Sequence, residues 1–147
     1  MSVRRVTQDP AGLVAERLSA TAGAGGHVVL TGGSTPRAAY EQAARAGADW
    51  SGATVWFGDE RCVAPDHEHS NFAMVDAALL ERLGTGLVVH RMRGEDGPDE
   101  GARHYETQLR AAFGQAEASL RQGVLSGNAH RSRIGQIGQS GRRALQT

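Results

Sequence analysis

Up to Phe113, apolar positions alternate between strand-like runs and helix-like spacing. Asp9-Pro10 forms a helix start, and Leu13, Val14 and Leu18 follow at helical intervals. Val28-Val29-Leu30 is a short apolar run of the kind a buried strand presents, and residues 36–46 read as the helix after it. Thr54-Val55-Trp56-Phe57 is a second strand, rich in β-branched and aromatic residues. Ser70 is placed to cap a helix running from Asn71 through Met74, Val75, Leu79, Leu80 and Leu83. Residues 87–92 read as a third strand and 98–113 as a charged amphipathic helix. Strand–helix units joined by short links predict an α/β fold, a Rossmann-like parallel sheet with helices on both faces. Such sheets bind ligands beyond the carboxyl ends of their strands. Gly32–Pro36 and Gly58–Arg61 both fall there, so a shared crevice is expected.

After Gly114 the pattern fades. Residues 115–147 hold one acidic residue, Glu117, with five arginines, five glycines and little apolar periodicity. We therefore divide the chain into an α/β region, 1–114, and an atypical basic Gly/Arg-rich tail, 115–147, expected to be disordered or the product of a frameshift. The whole chain of 147 residues is long enough for one cored domain and short for two. Its formal net charge is zero, which gives no global reason to expect nucleic acid or a membrane surface as partner. No apolar run reaches membrane-spanning length and Met1–Thr7 lacks the apolar core of a signal peptide, so a cytoplasmic location is expected. Cys62 is the sole cysteine, which excludes an internal disulfide. All cations are arginine.

The richest motif is Leu30-Thr31-Gly32-Gly33-Ser34-Thr35-Pro36. Glycines let backbone N–H groups approach an anion, Ser34 or Thr35 can cap the following helix, and Pro36 suits its first turn. A helix N-terminus then offers unpaired amides and a positive dipole end to a phosphate. The same residues also suit a plain strand-to-helix turn. The second signal is Trp56-Phe57-Gly58-Asp59-Glu60-Arg61, where Arg61 can hold a phosphate or carboxylate through its planar fork and Asp59 can orient it or bind a sugar hydroxyl. Read alone, that triplet is a solvated charged turn.

Leu30–Pro36, Asp59-Glu60-Arg61 with Val63-Ala64-Pro65, and then Ser70-Asn71 resemble, in order and spacing, the first half of a 6-phosphogluconolactonase. The resemblance covers roughly residues 1 to 113. It implies the sugar-phosphate isomerase/deaminase-like α/β fold, hydrolysis of 6-phosphogluconolactone in the oxidative pentose phosphate pathway, a small-molecule sugar phosphate as partner, and no cofactor. It also implies that Gly32, Gly33, Ser34 and Thr35 line the substrate pocket and that Asp59 and Arg61 contact the sugar acid or its phosphate. The family's later motif ending in Asp-Gly-His, whose histidine activates water, does not occur here, so the resemblance names no catalytic residue. The family's later strands have no counterpart either, so the sheet is expected to be incomplete, with an exposed edge open to self-association. Two alternatives stand beside the lactonase. One is a glucosamine-6-phosphate deaminase-like enzyme, disfavoured by Arg61 and by Ser70-Asn71. The other is a non-catalytic sugar-phosphate-binding fragment.

The remaining chemistry-bearing residues read as structural. His67-Glu68-His69 beside Pro65 and Asp66 is expected to be a hydrated turn and not a metal site. Cys62 next to Arg61 invites a lowered thiol pKa, but no partner for covalent catalysis accompanies it. Ser34 does not satisfy Gly-x-Ser-x-Gly, since Pro36 stands at the second glycine. His90 is expected to be packed or at an edge, His104 and Tyr105 to lie at the solvent boundary of their helix, and Trp50 and Trp56 to pack in the core.

Overall fold

The computed structural model describes residues 9–124, and for 115–124 the course of the helix only. Helix α1 (Pro10–Gly23) starts where Asp9 accepts the Gly12 N–H at 2.8 Å, a side-chain cap that satisfies one of the orphan donors of the first turn. Strand β1 (His27–Leu30), helix α2 (Ser34–Arg45), strand β2 (Thr54–Phe57) and helix α3 (Asn71–Ala78) follow. A 3₁₀ turn (Leu80–Arg82), strand β3 (Val88–His90), a second 3₁₀ turn (Gly94–Asp96) and helix α4 (Pro98–Val124) complete the order. The strands form a parallel sheet in the order β1-β2-β3, with Val28 beside Val55 and Leu30 beside Phe57.

Strand alternation sends Val28, Leu30, Val55 and Phe57 to one face, where α1, α2 and α3 cover them through Ala15, Ala22, Tyr40, Ala43, Val75 and Leu79. Trp56 points to the other face and is buried with Met92 and Tyr105 under α4, whose Leu109 and Phe113 flank it. Its indole N–H donates to His27 Nδ1 at 2.9 Å, and its ring stacks on His90 at 4.2 Å between centroids. The sheet is therefore parallel with helices on both faces, as its sequence pattern predicts, although Val29 and Val88 on the α4 face stay exposed; both tryptophans are buried. Three strands make it small. Among the described residues, no helix is long and apolar enough to cross a membrane.

Several elements differ from their sequence-based bounds. Helix α3 ends at Ala78, because Leu79 leaves helical geometry (φ −136°, ψ −61°) to enter the core, while Leu80 in the 3₁₀ turn and Leu83 just after it pack against the core's rim. Strand β3 is confined to Val88–His90, and Met92 is buried beyond its end. Helix α4 continues past Gly114 to Val124, since one interior glycine costs a helix only about 1 kcal/mol relative to alanine. The rest of the proposed tail, 125–147, lies outside the described residues. Tyr105 is not at a solvent boundary. Its buried hydroxyl donates to the Phe57 carbonyl at 2.8 Å and accepts the Phe57 N–H at 2.9 Å, pinning α4 to the end of β2. Burial pushes its phenol pKa up to about 12. His104 is exposed.

Candidate functional site

Beyond Leu30 the chain leaves β1 through Thr31, Gly32 and Gly33 and enters α2. Gly33 is the residue before the helix and holds φ 110°, a conformation that favours glycine. No side chain caps α2. Ser34 and Thr35 lie inside its first turn, exposed, so the capping role expected for one of them is not the one observed. The first helical bond runs from the Arg37 N–H to the Gly33 carbonyl at 3.2 Å. The amides of Ser34 and Thr35 thus belong to the unpaired set at the positive end of the helix.

The loop after β2 is stitched to this turn. The Gly58 N–H donates to the Leu30 carbonyl at 2.8 Å, extending the β1–β2 pairing by one step. The Thr31 hydroxyl then donates to Asp59 Oδ1 at 3.0 Å. Thr31 itself is held by Tyr40, whose hydroxyl accepts the Thr31 N–H at 2.9 Å and donates to its carbonyl at 3.0 Å. Burial raises the Tyr40 phenol pKa, with the Asp59 charge adding in the same direction. Asn71, the first residue of α3, donates its side-chain N–H to the Asp59 carbonyl at 3.1 Å. It also packs against Gly32 so closely that a Cβ on Gly32 would collide with the Asn71 amide.

Glu60 is the residue the sequence pattern missed. Far from forming part of a solvated charged turn, it is 3% exposed. Its Oε1 accepts the Asn71 N–H at 2.7 Å and the Arg61 N–H at 2.8 Å. Its Oε2 accepts the Phe72 N–H at 2.9 Å and the Ser70 hydroxyl at 3.1 Å. Ser70 in turn caps α3 by accepting the Ala73 N–H at 3.1 Å, as its place before Asn71 predicts. The carboxylate therefore occupies the amino end of α3, where free amides and the helix dipole favour negative charge. No local sequence signal marks it, because the helix start it anchors lies ten residues on, at Ser70.

Arg61, between this anchor and the 3₁₀ turn, has its backbone N–H fixed by Glu60 and its side chain exposed. Asp59 is half-buried, Gly32 half-buried, and Gly33, Ser34 and Thr35 exposed. Gly32 and Asp59 are thus tied to one cluster through Thr31 and Asn71, and Gly33–Thr35 and Arg61 continue from it along the chain. Burial raises the Cys62 thiol pKa, in keeping with the passive thiol expected there and not with an activated nucleophile. In the His67-Glu68-His69 turn all three residues are exposed, and the His69 N–H donates to His67 Nδ1 at 3.1 Å. Among the described residues, no group of three or more His, Cys, Asp or Glu side chains is placed to hold a metal ion.

Chemically, the first-turn amides of α2 can receive an anion, and the Asp59 carboxylate beside them can receive a hydroxyl. The chain is similar to known proteins. A 6-phosphogluconolactonase of Treponema pallidum is 40% identical over 88 residues, covering 57% of this chain and 36% of that protein. One from Synechocystis is 38% identical over 95 residues, covering 63% and 39%. The crystal structure of 6-phosphogluconolactonase from Thermotoga maritima superposes with a TM-score of 0.63 at 25% identity, over 73% of this chain and 52% of that one. The enzyme from Trypanosoma cruzi shares the fold at 23% identity, with a TM-score of 0.62 over 78% and 53%. The matched region spans less than two fifths of these curated relatives and about half of these solved structures. The family profile of glucosamine-6-phosphate isomerases/6-phosphogluconolactonase matches residues 3–125, most of the chain and all of the loops just described. With fold, loop order and sequence in agreement, the chain belongs to the glucosamine-6-phosphate isomerase/6-phosphogluconolactonase family.

Proposed function

We propose that this chain serves 6-phosphogluconolactonase chemistry, the hydrolysis of 6-phospho-D-glucono-1,5-lactone to 6-phosphogluconate, by supplying the loops that bind the sugar phosphate. The observation that carries this reading is the Thr31–Asp59 hydrogen bond, which ties the glycine-rich loop to the Asp-Glu-Arg loop at the carboxyl ends of adjacent strands. In this reading Gly32, Gly33, Ser34 and Thr35 cradle the substrate, with the Ser34 and Thr35 amides facing its anionic group. Arg61 grips the phosphate or the sugar acid through its fork, and Asp59, oriented by Thr31, accepts from a sugar hydroxyl.

Hydrolysis requires water to attack the lactone carbonyl carbon, a base to take the water's proton, and a donor for the oxygen as it gains charge. Arg61 suits the last task and cannot perform the second, because a guanidinium does not lose its proton near neutral pH. The chain lacks Asp-Gly-His and none of its residues is assigned as base. Binding should therefore outlast turnover, which is expected at least about a hundredfold below a full-length relative, the low end of what a general base contributes. The reaction takes a small sugar phosphate, needs no cofactor, and belongs in the cytoplasm where that substrate forms.

Calorimetric titration with 6-phosphogluconate tests the proposal. We expect saturable binding that weakens at least about tenfold in Arg61→Ala, the loss of one charge-assisted bidentate contact. The urea midpoint should not move, since the Arg61 side chain is exposed. Unchanged affinity in the variant would remove Arg61 from the site. Preference for glucosamine 6-phosphate over 6-phosphogluconate would move the chain to the isomerase side of the family.

A further inference from the structure

Asn71 does more than open α3. It is 7% exposed and is fixed at both ends. Its backbone N–H donates to Glu60 Oε1 at 2.7 Å, and its side-chain Nδ2 donates to the Asp59 carbonyl at 3.1 Å. A carbonyl oxygen only accepts, so the NH2 end of the amide must face Asp59 and the oxygen end must face elsewhere. That oxygen lies against Gly32, where an added Cβ would fall on Oδ1. The Asn71 oxygen thus occupies the place that a side chain at position 32 would need.

Around it, protein groups satisfy one another. The Tyr40 hydroxyl takes both backbone groups of Thr31, and the Thr31 hydroxyl takes Asp59 Oδ1. Among the described residues, nothing donates to Asn71 Oδ1. Trp50 Nε1 is also unbonded, but it is sealed inside the core. Asn71 Oδ1 instead lies where the two strand-end loops meet, against the residue that leads into the exposed Gly33, Ser34 and Thr35. A neutral amide oxygen gains nothing from an anion. It takes an O–H or N–H donor, and a largely buried acceptor without one carries a penalty that such a donor removes.

We propose that Asn71 is a specificity-determining residue of the sugar-phosphate site, its Oδ1 accepting a hydroxyl of the ligand's carbon chain. The proposal rests on the sugar-phosphate reading above and adds to it a contact that selects for hydroxylation and not for charge. Glu60 and Asp59 hold the amide in place beforehand, so little rotamer freedom is lost when the hydroxyl binds.

Calorimetric titrations with two ligands test it. One is 6-phosphogluconate; the other is 6-(phosphonooxy)hexanoate, which keeps both anionic ends and the chain length but carries no hydroxyls. The unaltered chain should prefer 6-phosphogluconate. In Asn71→Ala that preference should fall about tenfold, the effect of one lost hydrogen bond, with affinity for the hydroxyl-free ligand unchanged. Should Asn71→Ala lose the parent's circular-dichroism spectrum, Gly32→Ala decides, because its methyl group displaces the oxygen and the preference should fall likewise. A parallel loss for both ligands in Asn71→Ala would show that Asn71 only shapes the loops. An unchanged preference in the variant measured would show that no ligand hydroxyl reaches Oδ1. Either result overturns the inference and leaves the sugar-phosphate reading standing. Absence of saturable 6-phosphogluconate binding by the unaltered chain would overturn both.

Discussion

An acid between two candidate ligand residues would ordinarily face water, yet Glu60 turns inward and gathers the N–H groups of Arg61, Asn71 and Phe72 with the Ser70 hydroxyl. Removing it orphans donors in a buried place, at about 1–3 kcal/mol for each group left unsatisfied. Glu60→Ala should therefore lower stability by at least about 3 kcal/mol in urea unfolding, and Glu60→Gln, which keeps one acceptor oxygen, by less. At Gly32 the constraint is steric. A methyl group there meets the Asn71 side chain, so Gly32→Ala should cost about 1–3 kcal/mol, the usual range for overpacking. Repeating Gly32→Ala in an Asn71→Ala background should recover most of its penalty, because the obstructing amide is gone. A midpoint in the double variant no better than the additive sum would show that the strain lies elsewhere.

Between elements, the most consequential link is the Tyr105 hydroxyl, which serves both backbone groups of Phe57 across the sheet. It fixes α4 over the Trp56 face and so holds the end of β2, from which the Asp59–Arg61 loop departs. Tyr105→Phe keeps the ring's packing and deletes only these bonds. We expect a loss of about 1–3 kcal/mol in urea unfolding, together with faster amide exchange at Phe57. A stability change below a few tenths of a kcal/mol would mean that water replaces the hydroxyl without penalty.

Across the molecule, Arg91 joins the end of β3 to its surroundings. It is ion-paired with Glu95 and sits over the Phe72 ring of α3 at 5.7 Å. The hydrogen bonds from Arg91 hold the Glu95 carboxyl at about 2, below its usual 4.5, despite the opposing effect of burial. The folded-state pKa is depressed, so the contribution of this pair is complete above about 4.5 and is lost as pH falls toward about 2. Glu95→Gln should therefore be less stable than the parent near neutral pH, and the gap should narrow through that acid window. Urea midpoints measured at several pH values check this, and a pH-independent gap would exclude the ion pair as its cause.

The two capped helix starts at Asp9 and Ser70 and the two main strands were legible in the sequence, because capping and apolar alternation act over a few neighbouring residues. The same locality exposed the loops at the strand ends, where glycine and charge interrupt the apolar runs. The roles of Glu60 and Tyr105 were not legible, since their partners lie 11 and 48 residues away at Asn71 and Phe57. Their side chains read as solvent-facing until packing brings unpaired backbone groups within reach. The end of α3 was likewise set by the core's capacity to take Leu79, not by any stop signal. Sequence alone determined where the chain turns and which residue types stand at those turns. The tertiary structure decided which of them are buried and bonded, because desolvation and long-range hydrogen bonding exist only once distant segments have met.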